Sequence, residues 1–198
     1  MNDREQTILK VQDEHRTISS VVSGLRELAR TLQDSSVKPE FRVLHAMIRY
    51  IDAYPEKLHH PKEEEFLFQP LAVRAPMTAP LVKELRGEHQ RGERLIRELE
   101  RAVIAFEVDW PKGAPEFSTA VNDYADFHWK HMRKEEQDLL PLCERYFTPA
   151  DWRAAAVAFG ANASLGTTED KEFAALFTRI VNLAPAPIGL GTPWTRAS

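Results

Sequence analysis

The sequence predicts an all-α protein: an up-down-up-down four-helix bundle, then two short helices and an extended tail. Three observations carry this. Along four long segments apolar residues recur at alternating steps of three and four, which is the signature of one buried helix face. The joining stretches hold Pro, Gly, Asp and Ser, which end helices. The second pair of segments also repeats the first, so the chain reads as a helix hairpin written twice.

The first helix spans about Arg4 to Leu32, with the stripe Ile8, Val11, His15, Ile18, Val22, Leu25, Ala29, Leu32. Asp34-Ser35-Ser36 ends it. The second runs from Lys38-Pro39 to about Ala72 on Phe41, Leu44, Ile48 and Ile51, and Pro55 and Pro61 predict one or two kinks or a restart. The third opens at Pro80 and carries Val82, Leu85, His89, Gly92, Ile96, Leu99, Val103 and Phe106. The fourth spans about Pro115 to Tyr146, with Phe117, Ala120, Tyr124, Phe127 or His128, His131 and Glu135 on one face. Thr148-Pro149-Ala150-Asp151 reads as a helix start and Gly160 as that helix's end. Thr167-Thr168-Glu169-Asp170 starts the last helix. The tail from Leu183, rich in Pro and Gly, is either packed on the bundle or mobile. The expected divisions are 4–147 for the bundle, 148–183 for the helical extension and 184–198 for the tail.

A net charge of −4 without a long basic run argues against nucleic acid or an anionic membrane as partner. Cys143 is the single cysteine, which excludes an internal disulfide and a Cys-rich metal site. The polar N-terminus is unlike a signal peptide, and no apolar run reaches membrane-spanning length. The expected location is the cytoplasm, and the apolar side chains of the last helices are compatible with a homodimer.

Two stretches repeat H-x-x-K-E-E, from His59 (with His60 beside it) and from His131. A His and a Glu four residues apart lie on one helix face, so both can reach one metal ion. Each of the four helices places a histidine on or near its inward face, His15, His59, His89 and His131, and two add a glutamate, Glu63 and Glu135. Such a set is costly to bury without cations. The donors suit iron, manganese or zinc and disfavour Mg²⁺ and Ca²⁺. His60, paired with Glu64, is an alternative to His59, although the register with Lys134-Glu135 favours His59. His128 reads as a ligand or, more simply, a bundle-edge hydrogen bond. Glu93 could complete a coordination sphere but pairs more simply with Arg97. Tyr124 reads as core or as a donor to a bound oxygen. Gly92 leaves room for a small ligand or for close helix contact.

The combination of His15, H-H-P-K-E-E-E-F-L-F (59–68), Glu88-His89 and H-x-x-H-M-x-K-E-E (128–136) resembles the hemerythrin-like, or HHE cation-binding, domain over about residues 5–147. The resemblance implies a non-haem centre of two Fe ions, with Mn or Zn as substitutes, bridged by an oxo or hydroxo group and two carboxylates. It carries over as His15, His59, Glu63, His89, His131 and Glu135. The chain departs from the classical oxygen carriers: position 93 is Glu rather than a second histidine, and the last acid is Glu135, four residues after His131. Harder, carboxylate-rich donors favour the ferric state, which turns the expectation from oxygen transport to sensing, storage or redox and iron handling. The partner is then O₂ or another small oxidant. Two rival expectations are a di-iron enzyme with peroxidase, oxidase or nitric-oxide-reducing activity, and a metal-stabilised interaction module.

Overall fold

A computed structural model describes residues 1–33, 37–160 and 168–194, with backbone alone for 168–174. The expected break at 34–36 and the start signal at Thr167 lie outside the described residues. Among those described, every regular element is a helix, and no helix is long and apolar enough to cross a membrane. Six helices follow in order: α1 (Asp3–Thr31), α2 (41–74), α3 (Ala79–Val108), α4 (114–146), α5 (Pro149–Gly160) and α6 (Thr168–Leu183).

The stripes become buried faces. Val11, His15, Ile18, Val22, Leu25 and Ala29 of α1 are buried, as are all eight stripe residues of α3. α1 packs on α2 and α4, and α3 packs on α2 and α4. Asn2 and Glu5 form a reciprocal capping box that starts α1. Thr148 starts α5 as expected: its Oγ accepts from the Asp151 N–H at 3.3 Å and its own N–H reaches Asp151 Oδ2 at 2.8 Å.

The prolines do not break α2. Three stretches widen to π-helical turns instead, Asp52–His59, Glu64–Phe68 and Glu135–Leu139. Each ends two residues before a proline: Pro61, Pro70 and Pro141. The residue before each proline donates to the carbonyl five back: His60 to Pro55, Gln69 to Glu64, Leu140 to Glu135. A proline has no N–H, and its ring collides with the carbonyl four residues back. Widening the turn by one residue moves that carbonyl aside, so the helix runs on without a restart.

The core has two apolar clusters. One fills the body of the bundle, from Ile18, Ile51, Ile96 and Tyr124 to Leu28, Phe41, Phe106 and Phe117. The other, with Val11, Phe68, Leu85, Leu139, Cys143, Trp152 and Phe159, lies where α5 covers α1 and α2. The tail packs rather than extending freely: Ala184 is buried, and Ile188 and Trp194 lie against the first cluster. Ile188 comes so near α1 that a Cβ at Gly24 would stand 3.0 Å from it. Between the two clusters lies a layer of buried histidine and glutamate.

Candidate metal centre

Each of five imidazoles in this layer is fixed through its Nδ1 by a carboxylate on the same or an adjoining helix. His15 donates to Glu136 at 2.8 Å, His59 to Glu14 at 2.7 Å and His60 to Glu56 at 3.1 Å. His89 donates to Glu64 and His131 to Glu88, both at 2.9 Å. Lys62 holds Glu14 and Lys134 holds Glu88. The duplication is visible in space: α1 and α3 supply the acids for His59 and His131, while α4 and α2 supply those for His15 and His89. A carboxylate on Nδ1 fixes ring and tautomer and leaves Nε2 bare, as in histidines that bind metal.

The bare nitrogens converge on Glu63 and Glu135. His59 Nε2 is 3.1 Å from Glu63 and His131 Nε2 is 3.2 Å from Glu135. His15 and His89 each reach both carboxylates, at 3.5 to 3.6 Å. Two groups have ligand atoms close enough to hold one ion each: His15, His59, Glu63 and Glu135, and His60, Glu63, His89 and His131. Glu63 belongs to both.

The residues fit cations. Both oxygens of Glu63 and of Glu135, and Nε2 of His89 and His131, are buried without a hydrogen-bond partner. The Nε2 atoms of His15 and His59 face each other at 3.0 Å. With both Nδ1 protons committed to Glu136 and Glu14, two lone pairs meet, and only a proton or a metal can hold them together. An unsatisfied buried polar group costs about 1–3 kcal/mol, more when charged, and ligation removes that cost.

Burial opposes charge throughout, and the imidazole–carboxylate contacts outweigh it at most positions. Glu63 and Glu135 lie well below the usual carboxylate range, although burial alone would raise them. Against the same burial, Glu135 and Glu63 lift His15 well above the imidazole range and His89 to about 11. Burial and neighbouring imidazoles push His60 and His128 well below it.

The six residues singled out by sequence, His15, His59, Glu63, His89, His131 and Glu135, lie together. His59 and His60 fall in different groups, and His60 stacks on His89 with centroids 4.0 Å apart. Glu64 supports His89. Tyr124 donates to Glu56 at 3.3 Å rather than to the centre. His128 is buried, stacked 5.2 Å from Tyr124, and makes no hydrogen bond, against the bundle-edge bond expected. Glu93 stands on the surface, away from the clusters, and Arg97 pairs with Asp52 and Glu100 instead. Glu56 escaped the sequence reading, yet it stands four before His60, the same spacing that pairs His59 with Glu63.

The family model for the hemerythrin HHE cation-binding domain matches residues 7–143, which takes in every residue of the two histidine–glutamate groups. None of the curated proteins compared with the chain matches it. The chain belongs to the hemerythrin HHE cation-binding domain family.

Proposed function

We propose that this is a non-haem di-iron protein that binds oxygen or a related small oxidant, in sensing, storage or redox and iron handling. One observation carries the reading: Glu63, with both oxygens buried and unpartnered, belongs to two separate histidine groups at once. A carboxylate in that position suits a pair of ions better than one. His60, His89 and His131 would hold one iron and His15 and His59 the other, with Glu63 and Glu135 serving both; manganese or zinc could use the same donors. An iron beside His15 and His59 would have one imidazole fewer than its neighbour and would be the place for an exogenous molecule. Iron bound there supplies electron transfer to such a molecule. The chain's own part is to fix each Nδ1–H on a carboxylate and to exclude water with the two apolar clusters.

The same reading takes 4–147 as an up-down-up-down bundle, 148–183 as a helical extension and 184–198 as a tail. It places the protein in the cytoplasm, without nucleic-acid or membrane partners, as a candidate homodimer.

Elemental analysis of aerobically purified protein, with its near-ultraviolet and visible spectrum, tests the proposal. Two irons per chain with ferric absorption bands are expected. A folded, colourless, metal-free protein overturns it.

A further inference from the structure

One turn from the histidine–glutamate layer, on the side of the bundle body, the helices place Ile18, Glu56, Gly92 and His128. These residues floor the metal centre. Ile18 has no polar side-chain atom and Gly92 has no side chain. Glu56 has both oxygens engaged, one by His60 Nδ1 and the other by Tyr124. Of the four, His128 alone is uncommitted. It is 1% exposed, and neither ring nitrogen has a hydrogen-bond partner.

His128 stands under the middle of the layer. α2 and α4 each pack against both α1 and α3, so they face each other across the bundle. From α4 the His128 ring comes within 5.8 Å of His60 on α2 and 6.1 Å of His131 on its own helix, centroid to centroid. The charges of His15 and Glu135, which belong to the other ligand group, reach it as well. Tyr124 stacks against it nearly parallel at 5.2 Å and fixes the plane of the ring. The ring therefore lies toward the space between the two groups, not beside one of them.

A neutral imidazole carries one N–H and one bare nitrogen. Buried without partners, both cost stability that an apolar side chain of similar size would not. No protein group meets them, so what meets them comes from outside the chain. His128 belongs to neither ligand group, which leaves a molecule held at the ions rather than an ion itself.

Resting on the di-iron reading above, we infer that His128 donates a hydrogen bond to the small molecule that binds at the centre, and so helps to determine which molecules are held there. Azide and peroxide are favoured, because a charged acceptor strengthens the bond. Tyr124, the other hydroxyl or imidazole donor on this face of α4, is committed to Glu56.

Azide binding to the iron-loaded full chain tests this, by absorbance titration and by the Raman stretch of bound azide in H₂O and D₂O. In the unsubstituted protein the stretch is expected to shift in D₂O. His128→Leu is expected to weaken azide binding about tenfold or more, to abolish the shift and to keep the iron content. Tyr124→Phe is expected to keep affinity, shift and iron. A missing D₂O shift in the unsubstituted protein overturns the proposal without any variant. Unmoved azide affinity in His128→Leu means that His128 meets only water, and overturns it too. Iron lost from His128→Leu would make His128 a ligand, and a Tyr124→Phe protein as weak as His128→Leu would make the hydroxyl the donor; either result sinks the assignment. An unsubstituted chain that takes up no iron overturns the di-iron reading itself, whereas iron present with unmoved azide binding sinks the role of His128 alone.

Discussion

His15 donates its Nδ1–H to Glu136 at 2.8 Å although 121 residues separate the two. His89 repeats the contact with Glu64 at 2.9 Å. These are one interaction made by both halves of the duplicated hairpin. Each acid comes from the helix that also carries Glu135 or Glu63, so ring orientation and carboxylate ligand are set by the same turn.

Glu136→Ala and Glu64→Ala are therefore expected to weaken metal binding to a similar degree, about 10–100-fold each. Competition against a chelator of known affinity measures this. An effect at one position alone would mean that the two halves do not support the centre equivalently.

His60→Ala is expected to lower metal content or affinity and to alter the ferric spectrum, because His60 stands with Glu63, His89 and His131. Glu93→Ala is expected to change neither. Metal analysis of the two variants decides whether the extra imidazole comes from α2 or whether α3 supplies a carboxylate there.

The four long helices were legible because their stripes are long and regular, and the six central residues because the duplication repeats them in register. The doublet was not. Treating α2 as having one inward face forces a choice between His59 and His60, but neighbouring residues on a helix point about 100° apart. A helix packed on two neighbours can give one residue to each. His59 reaches Glu14 on α1, and His60 stacks on His89 of α3. The π-helical turns were equally hidden, since proline announces a disturbed hydrogen bond without saying whether the helix bends or widens. Glu56 was missed for a similar reason. Its partner His60 pairs by the same spacing with Glu64, four residues on, so the matching step back to Glu56 went unused.

Removing metal is expected to destabilise the fold as well as the site. Ions present at about 1,000 times their dissociation constant stabilise the native state by about 4 kcal/mol. For a chain of this size that is roughly 10 °C in Tm. Thermal unfolding with and without a strong chelator measures it. Glu63→Ala should erase most of the difference, because Glu63 belongs to both ligand groups. A variant that still gains the full increment from metal would show that the ions bind elsewhere.

The helix that covers the flank of the centre is itself fastened by one carboxylate. Asp151 accepts from Arg74 Nε at 2.9 Å and Nη2 at 3.1 Å, and from the Thr148 N–H at 2.8 Å. This ties the start of α5 to the end of α2, and Phe159 at the far end of α5 rests on His59. Partial burial alone would raise the Asp151 carboxyl, but Arg74 and Thr148 hold it at about 2 against an ordinary 3.8. A carboxyl depressed in the folded state contributes its stability fully above the unfolded value and loses it as the pH falls through the folded one. Arg74 is 42% exposed, so screening limits the contribution to about 1 kcal/mol. Asp151→Asn should therefore cost about 1 kcal/mol at neutral pH. The gap to the unsubstituted protein should close as the pH drops from 3.8 towards 2. Urea unfolding across that interval reads the gap directly. A penalty that stays constant with pH would mean that α5 is held by its apolar contacts and helix cap, and not by the charge on Asp151.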